Sequence, residues 1–250
     1  MLHALIGDVN STSEIEMHGN AAYASQTPFI LNATLRENVL FGKSYDKEYY
    51  DKVIEACMLL PDLQQLGAAK DLTEIGERGV TLSGGQKSRI ALARCVYARP
   101  KVAILDDVLS ALDASTGKLI FERLFDSSGG KETLLSDSAV ILVTHAAHFL
   151  SRVDKILVLF NGESKFIGDW NGLLSFNPED KETRDMVLSI RSSLQEGDSS
   201  SEDDESKATG KTHKTSKHQS KDNTNSNETI MTGKLIFGRT VRILKLNYSF

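Results

Sequence analysis

Short apolar runs separated by longer helical stretches constrain the fold of this chain more than any other feature of its sequence. Residues 102–105 and 139–143 are apolar at every position, and residues 155–160 are nearly so. Runs that are apolar at successive positions are typical of strands buried on both faces, as in parallel sheets. Strands that alternate with helices predict an α/β fold.

Three stretches around these runs are predicted to be helical. They are residues 45–60, 83–99 and 112–125. Pro61 and Pro100 follow the first two, and because proline disfavours the α conformation in the residue before it, each is expected to mark a helix end.

Composition excludes several classes of protein. The 250 residues carry 29 Lys and Arg against 34 Asp and Glu, a net charge of 29 − 34 = −5, which argues against a general nucleic-acid binder. Cys57 and Cys95 are too few for a disulfide framework and lack metal-binding spacing, so both are expected to pack inside helices. No apolar run approaches the roughly 18 residues of a membrane helix.

Composition changes sharply near residue 195. Residues 195–228 contain one apolar side chain, Ala208, between acidic and basic blocks, which predicts a disordered charged linker. Its serines suit either a solvated spacer or phosphorylation sites. Residues 229–250 are apolar and basic, which suits a segment that leads towards a membrane domain. The alternatives are a frayed tail or a strand that pairs back on the core.

The strongest local signal is the pentapeptide LSGGQ at residues 82–86. Ser83 occupies the expected N-cap position of a helix, and Gln86 lies three residues later, which predicts a capping box. Gly84 and Gly85 leave backbone N–H groups open to close approach. Such a helix start suits phosphate binding, although the pattern also fits an ordinary helix start that contains glycine.

Two carboxylates follow the apolar run at residues 102–105. A strand that ends in Asp106 and Asp107 resembles a Walker B element, in which the first carboxylate holds Mg²⁺ through water. The second residue in such sites polarises the attacking water, and successive strand residues point to opposite sides. The alternative is a pair of solvated acids where a strand meets a loop.

His145 and Gln26 each follow another predicted strand. A neutral imidazole at His145 is able to hydrogen-bond a γ-phosphate, whereas the alternative is a surface or capping histidine. Gln26 ends a short strand that includes Tyr23 and is a candidate contact for a metal ion or its water. Neither residue on its own identifies a phosphate or metal site.

The order of these elements resembles the ATP-binding domain of ABC transporters over roughly residues 1–175. In that family's terms they are a Q-loop at Gln26, the signature at 82–86, Walker B at Asp106, a D-loop at 110–113 and the switch histidine His145. Residues 36–42 and 71–81 look most like the first nucleotide-binding domain of the C subfamily, the multidrug-resistance-associated type. There a charged linker leads to a second membrane domain, which matches residues 195–250.

The resemblance implies a P-loop NTPase-like α/β fold, with a helical signature subdomain at about residues 33–100 and a C-terminal helical segment at 176–194. It implies ATP and Mg²⁺ as cofactors, with Asp106 and Gln26 as metal ligands. Asp107 and His145 are the implied catalytic residues. Nucleotide contacts are implied for Gln26, Ser83, Gly84, Gly85, Gln86 and Asp113.

The resemblance also implies partners and a location. In the family, ATP lies between the phosphate loop of one domain and the signature of the opposing one, so the signature here is expected to serve the ATP of a second ABC ATP-binding domain. The other implied partners are the transmembrane domains of a parent transporter, at the cytoplasmic face of a membrane, and no nucleic acid is expected.

Two departures from the family pattern stand out. Most active ABC sites carry glutamate where Asp107 stands, and aspartate draws the carboxylate back by about one C–C bond. Because a misplacement of about 1 Å can slow a reaction about 10²-fold, Asp107 is expected to be a poor base. The sequence also contains no GxxxxGK[ST] loop, so the chain is expected to begin after that loop and its strand, leaving two strands without a neighbour.

Three functions remain to be compared. The first is the ATP-binding domain of a C-subfamily exporter, as a truncated chain that is expected to be inactive alone. The second is a non-catalytic interaction protein that docks on a partner ATP-binding domain and supplies only the signature. The third, a soluble ABC ATPase acting on DNA or ribosomes, needs a coiled coil or a second ATP domain with basic faces, and the sequence has neither.

Overall fold

The computed structural model describes residues 2–8, 17–77, 79–126, 133–195 and 235–238. In chain order the helices and strands are α1 (Leu2–Leu5), β1 (Ala21–Ala24), β2 (Ala33–Thr34), α2 (Leu35–Leu40), α3 (Lys47–Ala56), α4 (Leu60–Gln65), β3 (Glu74–Ile75), α5 (Gly84–Tyr97), β4 (Val102–Asp106), α6 (Ala114–Leu124), β5 (Ala139–Thr144), β6 (Lys155–Phe160), β7 (Glu163–Gly168), α7 (Trp170–Ser175), α8 (Lys181–Gln195) and β8 (Leu235–Gly238). Short 3₁₀ helices cover Gly67–Leu72 and Ala147–Arg152. The linker and tail predicted from residue 195 onwards lie outside the described residues, except for Gln195 and β8.

Three adjacent strands of the larger sheet run parallel. Its strand order is β1-β4-β5-β8-β6-β7, and Leu105 of β4 lies opposite both Ala24 of β1 and Leu142 of β5. The central strand is buried on both faces, with Ile104 and Leu105 fully inaccessible to solvent. The parallel pairing predicted for the runs at 102–105 and 139–143 is therefore confirmed.

The far side of the same sheet is antiparallel. β6 and β7 form a hairpin whose two-residue turn is Asn161-Gly162, and both turn residues have positive φ, 49° and 79°. A right-handed strand twist favours such a turn, and Asn-Gly is the pair that adopts it most readily. The sequence carries this hairpin signal plainly.

The helix predicted for residues 45–60 is two helices. α3 ends at Ala56, Met58 takes a left-handed conformation with φ of 55°, and α4 begins at Leu60. The expectation that Pro61 ends a helix was wrong, because Pro61 stands in the first turn of α4. Proline is tolerated there, since the first N–H groups of a helix have no partner within it.

The other predicted helices are confirmed within two residues of their expected ends. α5 spans 84–97 and α6 spans 114–124. Helix α8, at 181–195, overlaps the segment predicted as helical at 176–194 but begins five residues later. No helix within the described ranges is long and apolar enough to cross a bilayer.

Helix α5 anchors the helical subdomain through two side chains. The Arg94 Nε atom donates to the Asn38 carbonyl at 2.8 Å and its Nη2 atom donates to Asn38 Oδ1 at 3.0 Å. The Tyr97 hydroxyl donates to the Ser44 carbonyl and accepts from the Asp46 N–H, at 2.7 and 2.8 Å. These bonds hold α2 and the loop before α3 against α5.

Both cysteines are buried in this subdomain and form no disulfide. Burial raises the pKa of the Cys95 thiol to about 12 and raises that of Cys57 as well. Both thiols are therefore neutral at physiological pH, and the prediction that they are packed helical residues is confirmed for Cys95 within α5. Cys57 is the C-cap residue of α3.

Strand β8 lies between β5 and β6 and pairs with both in antiparallel orientation. Sequence analysis expected two strands without a neighbour, and it named a strand that pairs back on the core as one alternative for the tail. In the part of the chain that the structure describes, residues 235–238 take that second arrangement.

Candidate functional site

The carboxyl ends of β1, β4 and β5 meet at one edge of the sheet because the three strands are parallel and adjacent. Gln26, Asp107 and His145 each follow one of these strands. The Gln26 Nε2 atom donates to Asp107 Oδ2 at 3.3 Å, and His145 Nε2 lies 3.8 Å from the same oxygen. The structure therefore brings three predicted site residues together at one carboxylate.

The backbone at Asp107 fixes the direction of that carboxylate. Its φ is 54°, in the left-handed region that aspartate tolerates better than most residues. The Asp107 N–H donates to the Val143 carbonyl at 2.9 Å, and the Ser110 hydroxyl donates to the Asp107 carbonyl at 2.8 Å. The side chain is only 4% exposed, so the sharp turn after β4 directs a charged group into the protein.

Asp106 has a different neighbour, as the alternation of strand side chains predicts. The Tyr23 hydroxyl donates to Asp106 Oδ2 at 3.4 Å. Sequence analysis paired Gln26 with Asp106 at a metal, whereas the Gln26 amide group contacts Asp107 here. It placed Tyr23 in the strand that precedes Gln26 but gave it no role at the site, although a phenol near the carboxyl end of that strand is a usable signal.

The donors at this edge fit Mg²⁺ in chemical type. Carboxylate and carboxamide oxygens are hard ligands, and Mg²⁺ in phosphate sites takes one or two carboxylates while waters and phosphate oxygens fill its other positions. No cluster of three or more His, Cys, Asp or Glu residues suited to a metal exists among the described residues. Asp106 therefore fits a Mg²⁺ ion that arrives with a phosphorylated ligand.

The capping box predicted at the start of α5 is confirmed. The Gln86 N–H donates to Ser83 Oγ at 3.2 Å, and Gln86 Oε1 accepts from the Ser83 N–H at 2.8 Å. The Gln86 Nε2 atom donates to Asp62 of α4 at 2.9 Å. Both ends of the Gln86 carboxamide therefore have partners within this chain.

The two signature glycines face different surroundings. A Cβ atom at Gly84 would have no heavy atom within 4 Å, so the first turn of α5 is open there. A Cβ at Gly85 would lie 3.1 Å from the Ala111 carbonyl oxygen. The 108–113 loop therefore lies between the signature and the sheet edge. Its Ala111 carbonyl approaches Gly85, and its Ser110 hydroxyl donates to the Asp107 carbonyl.

Asp113 is the N-cap residue of α6. Its Oδ1 atom accepts from the Ser115 hydroxyl at 2.6 Å and from the Thr116 N–H at 2.9 Å, and these bonds hold the pKa of Asp113 below its ordinary value. Asp113, His145 and His148 also line a common cleft of about 370 Å³. Sequence analysis did not name His148, whose pKa is lowered by burial.

Comparison with known proteins adds an independent line of evidence. Residues 4–110 match the family model described as ABC transporter. The chain is 45% identical over 175 residues to ATP-binding cassette sub-family C member 2 of Mus musculus. Residues 4–110 therefore belong to the ABC transporter family.

Other relatives of this ABC protein are also members of the C family. ABC transporter C family member 8 of Dictyostelium discoideum is 42% identical over 175 residues, which is 70% of this chain and 11% of the relative. ABC transporter C family member 9 of Arabidopsis thaliana is 39% identical over 212 residues, 82% of this chain and 14% of the relative. The chain therefore spans only a small part of the length of these relatives.

The capping role of Asp113 gives a pH prediction. Asp113→Ala is expected to lower the melting temperature at neutral pH, because α6 loses its cap acceptor. The pKa of Asp113 in the folded chain is below its unfolded value of about 3.9. The stabilisation that the charged cap gives the folded chain is therefore fully present above that pH and is lost as the pH falls towards the folded pKa.

The measurement is thermal unfolding of both proteins from neutral pH down to about pH 3. Asp113→Asn is the matched control, because asparagine keeps a cap acceptor that does not titrate. A melting-temperature difference between Asp113→Ala and the unaltered chain that stays constant over this range would contradict the assignment.

Proposed function

We propose that this chain forms part of the ATP-binding domain of a C-subfamily exporter, at the cytoplasmic face of a membrane, and couples ATP binding and hydrolysis to transport. The observation that carries the proposal is the meeting of Gln26 and His145 at the Asp107 carboxylate. Residues that follow three different strands converge there, as a phosphate-handling site requires.

Asp106 and Asp107 take separate roles in this proposal. The Asp106 carboxylate holds Mg²⁺, with Tyr23 fixing its orientation from β1. When bound, the metal neutralises charge on the phosphate oxygens of ATP. Asp107 orients a water molecule and accepts its proton at Oδ2, while Gln26 restrains the same oxygen.

His145 completes the group as a hydrogen-bond donor. Its Nε2 atom lies near Asp107 Oδ2, and its side chain is 40% exposed on the cleft that Asp113 also lines. A neutral imidazole in this position donates a proton to a phosphate oxygen or to Asp107, but not to both through one nitrogen. The 3.8 Å separation from Asp107 Oδ2 is longer than a hydrogen bond, so an Nε2–H group here is able to donate to a phosphate oxygen.

The signature acts on a second nucleotide in this proposal. Ser83 Oγ accepts the Gln86 N–H, which leaves the hydroxyl proton to donate to a phosphate oxygen. Gly84 presents an open first turn, where the positive end of the α5 dipole favours an anion. The ATP concerned is one held by a second ABC ATP-binding domain.

An exposed aromatic patch supports coupling to transmembrane domains. Phe29 and Phe41 are about half exposed, and their rings lie 5.9 Å apart. The Arg94 guanidinium lies 4.2 Å from the Phe29 ring centre and 4.9 Å from that of Phe41. Large exposed apolar side chains held in place by Arg94 support a docking surface for a partner, here the transmembrane domains.

The length of the residue at position 107 gives the first test. Asp107→Glu in the full-length parent transporter is expected to raise ATP turnover by tenfold or more, because the added methylene brings the carboxylate closer to the water, and a shift of about 1 Å is worth about 10²-fold. The measurement is steady-state ATPase activity with the other ATP site inactivated.

Asp107→Asn serves as the control, because it removes the proton acceptor while it keeps the size of the side chain. It is expected to abolish the residual turnover of this site. Equal turnover in the aspartate and glutamate forms would show that carboxylate reach does not limit this site.

The docking patch gives a second test. Phe41→Ser is expected to reduce ATP-dependent transport by the parent protein several-fold and to change the melting temperature of the chain little, since Phe41 is 50% exposed. Leu188→Ser on α8 is the matched control with the same exposure. Equal loss of transport in both variants would contradict a docking role for the patch.

A second candidate function rests on the complete signature at residues 82–86, where α5 has an open first turn at Gly84. In it, the chain docks on a partner ATP-binding domain and supplies Ser83 and Gly84 without binding ATP itself. The dissociation constant of the purified chain for Mg-ATP is then expected to exceed about 1 mM. Tight binding in equilibrium dialysis would exclude this candidate.

A further inference from the structure

A buried carboxylate lies behind the start of α5. Asp62, in the first turn of α4, is 6% exposed. Its Oδ1 atom accepts from the Gln86 Nε2 atom at 2.9 Å and from the Arg89 Nη2 atom at 3.2 Å. The same Nη2 atom lies 3.1 Å from Asp62 Oδ2. One charged group of α4 therefore holds two side chains from the first two turns of α5.

Arg89 fixes the direction of this carboxylate. Its Nη1 atom donates to the Met58 carbonyl at 2.7 Å, and its Nε atom donates to the Gly85 carbonyl at 3.4 Å. The Arg89 side chain is 16% exposed, so both members of the ion pair are largely withdrawn from water. Replacement of a buried ion pair by apolar side chains of similar size is often neutral or stabilising. The geometry that the pair fixes is therefore a better reason for it than stability.

The Gln86 carboxamide connects Asp62 to the signature serine. Its Oε1 atom accepts from the Ser83 N–H at 2.8 Å while its Nε2 atom donates to Asp62. Because the N–H group only donates and the carboxylate only accepts, rotation of the carboxamide by 180° would lose both bonds. The Gln86 N–H also donates to Ser83 Oγ. The position of the Ser83 hydroxyl is therefore tied to Asp62 through one side chain.

We propose that Asp62 is a positioning residue for the signature, which holds the Gln86 carboxamide in the orientation that places Ser83 for the phosphate of a partner domain's ATP. Asp62 itself contacts no nucleotide and acts through Gln86. Arg89 supports it by fixing the carboxylate. This inference rests on the proposed function, in which Ser83 and Gly84 act on that ATP.

The proposal predicts which kinetic constant changes. In the proposed function the partner domain holds the ATP, and the signature adds its contacts when the two domains close around it. A misplaced Ser83 hydroxyl therefore weakens an interaction that is made after ATP has bound. Loss of such an interaction lowers kcat and leaves the KM for ATP nearly unchanged.

The first experiment is steady-state ATPase activity of the full-length parent transporter. Asp107→Asn is present in every variant, so that turnover reports the ATP site that this signature serves. Asp62→Ala is expected to lower kcat about tenfold, since a displacement of about 1 Å costs up to about 10²-fold. The KM for ATP is expected to change by less than about twofold.

Asp71→Ala is the matched control for the loss of an ion pair. Asp71 pairs with Arg36 of α2 at 2.7 Å, and its side chain is 14% exposed against 9% for Asp62. Asp71→Ala is expected to lower the melting temperature as Asp62→Ala does and to leave kcat unchanged. An equal fall in kcat in both variants would show a general effect of destabilisation and would overturn the positioning role.

Asp62→Asn separates the acceptor from the charge. Asparagine keeps an oxygen that accepts from Gln86 Nε2, whereas the ion pair with Arg89 is lost. We expect a lower melting temperature with most of kcat retained. If Asp62→Asn lost as much turnover as Asp62→Ala, the contact with Gln86 would not be the cause, and the proposal would fail.

A double variant covers the case in which Asp62→Ala does not fold. Asp62→Leu with Arg89→Met removes both charges together, and such a replacement leaves no buried charge without a partner. It is expected to keep the melting temperature close to that of the unaltered protein and to lower kcat about tenfold, because Gln86 loses its acceptor. Unchanged kcat in this folded variant would overturn the proposal.

Ser83→Ala in the same background distinguishes failure of this inference from failure of the proposed function. If Ser83→Ala lowers kcat and the Asp62 variants do not, the positioning role is wrong and the proposed function stands. If Ser83→Ala leaves kcat unchanged, the signature does not act on ATP, and both are wrong.

Discussion

Parallel pairing of β1, β4 and β5 is the constraint on which the candidate site depends. Parallel strands end at a common edge, so residues 26, 107 and 145, far apart in sequence, follow neighbouring strand ends. The backbone bond from Asp107 to Val143 continues the pairing one residue beyond β4 and directs the carboxylate inward. A shift of one residue in the register of β4 would reverse which aspartate faces Gln26 and His145.

Helix α5 contacts other parts of the chain at both of its ends. Its first turn carries the capping box of Ser83 and Gln86, and Gln86 continues to Asp62 on α4. Its last turns hold α2 through Arg94, whose guanidinium also lies under the exposed rings of Phe29 and Phe41. The aromatic patch and the signature therefore contact opposite ends of the same helix.

Sequence reasoning predicted the features that depend on local pattern. The capping box and the strand at 102–106 follow from spacing and burial preference, and both are in the structure. It could not predict that Asp113 caps α6, because the same residue pattern suits a nucleotide contact. It also could not predict that the Gln26 amide donates to Asp107. Those outcomes depend on side-chain directions at strand ends, which tertiary contacts determine. The position of Pro61 was misjudged because proline suits both a helix end and a helix start.

Strand β8 takes a place in the sheet that sequence analysis named only as one alternative for the tail. Residues 235–238 have no alternating pattern, and their position follows from the two edges that β5 and β6 present. Because unpaired main-chain groups in a buried sheet are costly, hydrogen bonds to both neighbouring strands stabilise even a strand of four residues. Leu235 pairs with Thr144 across about 90 positions of the sequence, a contact that no local pattern predicts.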